Sequence, residues 1–439
     1  MRAGFAEIDI TPPVGIHKIG WIMDIISDRV LDPLHARVAV FENCGERLAF
    51  IQLDTLSIRW TQVNDIRGRI ERSFGFPGSH VMVAATHNHA GPAVSTVGLV
   101  PRDDAYVETL VRKCVEAFGA ACASMQEAEV GFAHVFEFAV AHNRRVVMRD
   151  GTARTHGTFA DPDALYIEGP IDPEVAVLAA RAKPRAGNKA GALLGCIVNF
   201  SCHPTHHGDD TSITAGYPGV VAAELKSRGC PVAVFLNGAS GNTHTAIPAT
   251  ASGVSMDEAG RRLAADARGA IESMKFADDL RLAAASATLQ LPYRRPSPAE
   301  IAGTIRGAQR FVDPSWYDRS MPALLERIRT RRLQPAEVQV LAVGNVAFAG
   351  IPAEYFVEHG LRIKEQSAWP PHPVHALVVG HANGMIGYVP TRQAFERGGY
   401  ETTFAPSSRM APETGDMLAD AAIELVKGIS EMRGGVNAV

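Results

Sequence analysis

Three short runs in this chain gather side chains that hold metals and move protons. ATHNHAGP (85–92) sets His87 and His89 two residues apart. In extended backbone both rings point to one side, offering one or two nitrogens to a metal, or one ligand and one hydrogen-bond donor. HPTHHGDD (203–210) adds His203, His206 and His207 with Asp209 and Asp210, as ligands or as outer partners that orient ligands. NGASGNTH (237–244) brings Ser240 and His244, and HNRR (142–145) brings Arg144. Glu354, in GIPAEYF (350–356), reads either as a first-turn acid complementing a helix dipole or as the carboxylate that completes a His-His-Glu site. Tyr388 lies in the turn-rich NGMIGYVPT (383–391) and carries no weight alone.

The elements needed to position these groups are legible in the hydrophobic pattern. Apolar runs predict strands at 35–42, 47–54, 80–86, 192–200, 231–236, 337–349 and 375–380. Several are near-continuous, the pattern of strands buried on both faces. Helical patterns fall at 61–74, 103–123, 218–228, 256–275, 354–366 and 412–428. Their interleaving gives an α/β class, with mixed, largely buried sheets flanked by helices. VMVAAT runs into His87, CIVNFSC into His203 and AVFLNGAS toward His244, so the reactive groups gather at strand ends, where open α/β sheets place ligands. One large domain over 1–439 is expected, with 281–336, rich in Pro and Arg, as a surface excursion.

In chain order, ATHNHAGP, NFSCHPT, FLNGASGNTH, PAEYF and GYVPT resemble the neutral ceramidase family of zinc amidases. The resemblance runs from FAEIDITPP over most of the chain and is weakest at 145–190 and 275–335. It implies that family's catalytic-domain fold and a zinc ion held by His87, His203, Glu354 and Tyr388. It also implies that His89 and Arg144 face the reacting carbonyl and stabilise an oxyanion. The family's catalytic serine stands in G-[DN]-x-S-P-N. Aligned without a gap, that position falls on His244, which cannot replace a hydroxyl nucleophile but can act as general base for water. Ser240, four residues earlier, takes the place only with a gap.

Composition narrows the partners. The 439 residues carry 43 Lys+Arg against 47 Asp+Glu, a net charge of −4, which leaves no basic surplus for nucleic acid. Sixteen histidines against four tryptophans make imidazole the one excess. No run of about 18 apolar residues exists, so membrane insertion is not expected. The six cysteines lack paired spacing and the N-terminus has no secretory pattern, so a cytoplasmic location is expected. The reading is a zinc-dependent hydrolase of an amide, ahead of an ester or lactone, in a small polar molecule, in a possible homo-oligomer. Ceramidase activity through Ser240 and a non-catalytic ligand-binding relative are the alternatives. Asp54 reads as structural and His206 and His207 as solvated loop residues. Arg294, Arg295 and the LLERIRTRRLQ run read as a solvated helix face, and Trp21, after Gly20, as the wall of a pocket.

Overall fold

The computed structural model describes residues 1–21, 23–98, 100–184, 191–250, 252–311, 314–369 and 374–434. Its largest sheet runs in the order Ala233–Asn237, Leu193–Phe200, Glu174–Ala182, Gln126–Phe136, Arg2–Asp9, His35–Asn43, Glu46–Leu53 and Val81–Ala85. A second sheet orders Leu282–Pro292, Leu333–Val343, Val346–Gly350 and His375–Val379.

Strand alternation divides the core into layers. Ala36, Val38 and Val40 pack with Ile66 and Ile70 of the helix Trp60–Phe74 and Leu110 and Phe118 of the helix Asp104–Ala123. Between them, Ala39 and Phe41 face the second sheet, where Phe50 meets Phe348 with ring centroids 4.9 Å apart. Helices Gly216–Ser227 and Met256–Ser273 cover the other end of the large sheet. Helices Val357–Ser367 and Thr414–Gly434 cover the second sheet. The two sheets thus lie face to face between helical layers, which explains the near-continuous apolar runs.

The second half of the sequence departs from expectation in two places. The 337–349 run is not one strand. Val343 pairs with Val346 across a two-residue turn whose first residue, Gly344, has φ +60°, a backbone state that costs glycine little. The 354–366 helix starts only at Val357, because Glu354–Tyr355 forms a short strand parallel to Tyr388–Val389. Within 281–336, Leu282–Pro292 pairs along its whole length with Leu333–Val343, and helices Pro298–Ala302 and Pro314–Arg331 lie between those strands.

Three parallel strand pairs organise everything that follows: Glu46–Leu53 with Val81–Ala85, Leu193–Phe200 with Ala233–Asn237, and Val346–Gly350 with His375–Val379. Each pair is joined by a crossover containing a helix, as parallel pairing requires. The large sheet curls until its terminal strands meet, with Asn237 Nδ2 donating to the Thr86 carbonyl at 3.0 Å. The second sheet joins there, since Gly380 N–H donates to the Asn237 carbonyl and Asn383 N–H to the Val83 carbonyl. All three pairs therefore point their C-terminal ends at one place.

Candidate metal centre and its cavity

His87, His203 and Glu354 converge at that meeting point. His87 Nδ1 donates to the Leu56 carbonyl at 2.9 Å, and His203 Nδ1 to the Ser240 carbonyl at 2.5 Å. A carbonyl only accepts, so each bond fixes the ring proton on Nδ1 and leaves an Nε2 lone pair on the uncharged ring. The two Nε2 atoms lie 3.1 Å apart, with Glu354 Oε2 at 3.4 Å from His87 and 3.5 Å from His203. Burial, with Arg144 and His87 nearby, pulls His203 down to about 3, so this ring stays uncharged. Burial raises Glu354, and a hydrogen bond or charge from His203 or His87 outweighs it and holds the carboxyl well below its usual range whenever one of those rings carries an Nε2 proton. Three acceptor atoms thus face one another with no proton to share while the rings are uncharged. Such a donor set fits a cation. Two ligands of one tetrahedral zinc ion stand roughly 3.3 Å apart, which matches these spacings.

His89 joins from the same run, its Nε2 3.1 Å from that of His87. The expected extended HxH geometry is not what brings them together. His87 has φ +68°, a left-handed state that turns the chain, and the two rings meet at 85°. His89 Nδ1 is buried without a partner. Burial and the neighbouring His87 and His203 hold this ring well below the usual histidine range. Tyr388 is placed by its backbone register with Glu354, and its ring stacks parallel to His203 at 6.4 Å. Arg144 Nη2 donates to the Tyr388 hydroxyl at 3.2 Å and to the Gly241 carbonyl at 2.9 Å. Burial raises the Tyr388 hydroxyl well above its ordinary value, and Glu354 adds to the rise while Arg144 opposes it.

The structure treats the two residues considered for the serine position differently. His244 Nδ1 accepts from the Ala246 N–H at 2.8 Å and its Nε2 bonds Thr205 Oγ1 at 2.5 Å, so both nitrogens are engaged. Ser240 Oγ is buried without a partner, and the residue gives its carbonyl to His203. His206 Nε2 bonds the Val254 carbonyl, and His207 Nδ1 bonds Asp210. Asp54 pairs with buried Arg37 at 2.9 Å.

The chain matches no family model and no curated protein. Among solved structures it is similar to a neutral ceramidase from Pseudomonas aeruginosa, at TM-score 0.76 and 19% identity over 98% of this chain and 74% of that one. A ceramidase complexed with C2 aligns at the same TM-score, with 18% identity over 98% of this chain and 75% of that one. The chain has the neutral ceramidase fold. At this identity the likeness establishes the architecture, and the chemistry rests on the residues themselves.

On this ceramidase fold, a cavity of about 150 Å³ opens beside the cluster, lined by His87, His89, Glu354 and Tyr388. Trp21 also lines it, as its position after Gly20 suggests. Several contributors have no signal that the sequence reading used. His381 stacks on His87, with centroids 4.0 Å apart and planes at 10°, and both its ring nitrogens are buried without partners. It follows the strand His375–Val379, so the strand-end rule that singled out His87 and His203 was the available signal. Glu401 takes Arg144 at 2.9 Å and Arg145 at 2.8 Å; burial raises this carboxyl, but the two guanidiniums outweigh it and hold it at about 2. Tyr400 and Trp316 complete the wall, and no local pattern marks them. Among the described residues, two groups of three potential ligands stand close together: His87, His89 and His203 here, and His134, Glu174 and His375 elsewhere.

Proposed function

We propose that this protein is a zinc-dependent hydrolase of the amide bond of a small molecule, with esters and lactones behind amides. The observation that carries the reading is the convergence of two Nε2 lone pairs and one carboxylate oxygen within 3.5 Å. His87, His203 and Glu354 would hold the ion, with Tyr388 as fourth ligand from its register position beside Glu354. Zinc bound there supplies a Lewis acid that polarises a carbonyl and acidifies water.

The chain's own groups divide the remaining work. Leu56 and Ser240 carbonyls keep His87 and His203 in the Nδ1–H tautomer. Arg144, held by Glu401, presents Nη2 to the Tyr388 hydroxyl and favours its ionised form. His89, uncharged and lining the cavity, has a free Nδ1 and is the group to take a proton from water and give it to the departing amine. His244 is the weaker candidate for that step, because its Nδ1 lone pair already accepts a backbone N–H. A cavity of about 150 Å³ matches a benzene-sized group. That volume accommodates a small group beside the proposed ion.

No helix among the described residues is long and apolar enough to cross a membrane, and all six cysteines are free thiols. The free thiols suit the proposed cytoplasmic location. The test is a hydrolysis screen of N-acyl amines, amino-acid amides and lactones, with and without chelator. Turnover abolished by chelator and restored by zinc is expected. Turnover indifferent to chelator contradicts the metal role, and zinc binding without turnover on any class points to a non-catalytic relative.

A further inference from the structure

The cavity beside the histidine cluster carries two guanidinium groups that have no carboxylate partner among the described residues. Arg59 and Arg409 both line it. Arg59 lies three residues after Leu56, whose carbonyl holds His87, and Arg409 lies two after Ser407, whose carbonyl accepts the Tyr388 N–H at 2.7 Å. The segments that position the metal-site groups therefore also deliver these guanidiniums. Arg59 Nη1 donates to the Met385 carbonyl at 3.2 Å, and Arg409 donates to the Pro406 carbonyl. Among the described residues, no carboxylate stands within ion-pair distance of either.

That is unusual within this molecule. Arg59 is half-buried and Arg409 buried, and the other buried arginines among the described residues have acidic partners: Arg37 has Asp54, Arg67 has Glu337, Arg144 and Arg145 share Glu401, and Arg294 has Glu300. Arg409 is 6% exposed, and its Nε is buried with no hydrogen-bond partner. Trp316 Nε1, on the same cavity, is a second buried donor without a partner. The one carboxylate in the lining, Glu354, faces His87 and His203. Burial, with Arg327 and Arg59 nearby, draws Arg409 down to about 9 against an opposing pull from Tyr293, and burial with Arg327 and Arg102 draws Arg59 to about 10 against an opposing pull from Glu354. Leaving buried charge and buried donors unanswered costs free energy unless a ligand answers them.

We propose that this wall is an anion subsite, and that the amide taken by the metal centre carries a carboxylate clamped by Arg409 and Arg59 with the Trp316 N–H as a further donor. Planar guanidinium groups match a carboxylate in two-point contact, and an indole N–H adds a single directed bond. The inference rests on the amide-hydrolase reading for the reaction, but the subsite itself is a statement about binding. It sets this chain's substrate apart from a neutral lipid amide.

The experiment uses the zinc-loaded protein and three spacings of carboxylate from amide: N-acetylglycine, N-acetyl-β-alanine and N-acetyl-γ-aminobutyrate, each against its primary carboxamide. Binding is read by titration calorimetry and hydrolysis by acetate release. At least one carboxylate is expected to bind about 30-fold or more tightly than its carboxamide. R59Q and R409Q should each shrink that preference, and R409K, which keeps charge but loses the fork, should shrink it less than R409Q. If R409Q does not fold, R59Q and R409K carry the test. Equal binding of carboxylate and carboxamide in all three pairs overturns the subsite, as does a preference unchanged in the arginine variants. A carboxylate preference that depends on the arginines, with no acetate released, upholds the subsite and counts against the hydrolase reading instead.

Discussion

Two groups of histidine and glutamate in this molecule look alike by composition and behave oppositely. In His87–His203–Glu354, backbone carbonyls consume the ring protons, so acceptors face acceptors. In His134–Glu174–His375, both imidazoles bond one oxygen of Glu174, at 2.8 and 2.6 Å, and Lys364 takes the other at 2.5 Å. There the carboxylate is surrounded by donors, and a lysine stands where a second cation would have to go. Burial raises Glu174, but His375 and Lys364 outweigh it and hold the carboxyl at about 2. The difference teaches that a metal centre is recognised by where its protons already are, not by its list of residue types.

The same substitution at both sites separates them. E354Q removes a ligand charge and should cost about 10³-fold in kcat/KM, the several kcal/mol that a Lewis acid supplies, together with the zinc; kinetics and metal analysis check both. Next in size is E401Q, which leaves Arg144 and Arg145 buried without their shared carboxylate beside the proposed cation site. Urea unfolding should show a loss of about 3–5 kcal/mol. H89A should lower kcat by about 10²-fold while zinc stays bound, because His89 is assigned the proton and not the ion. Loss of zinc in H89A would make it a ligand. E174Q should leave zinc and kcat/KM unchanged and cost about 1–2 kcal/mol of stability. The sign of its pH dependence follows from the depressed carboxyl. Its contribution is present above the ordinary value near 4.5 and fades as pH falls toward 2, so wild type and E174Q should converge in stability across that window.

Much of this site was readable from the sequence because parallel strands announce themselves. Apolar runs ending in His87, in His203 and near Ser240 place three loops together on pattern alone. His381 obeyed the same rule and was passed over, having no second histidine beside it. Glu354 reads from its neighbours as a first-turn acid or as the carboxylate of a His-His-Glu site; its pairing with Tyr388, 34 residues on, is a tertiary fact that no local pattern carries. Arg59 and Arg409 were invisible for a related reason. Only three-dimensional accounting shows that, among the described residues, they lack the carboxylates that the other buried arginines have.

The metal content of the purified protein tests the central claim most directly, with wild type, H203A and H375A measured side by side by elemental analysis. About one zinc per chain is predicted in wild type and H375A, and close to none in H203A. Wild type without zinc, or H203A with its metal intact, would contradict the assignment of the buried cluster as the metal centre.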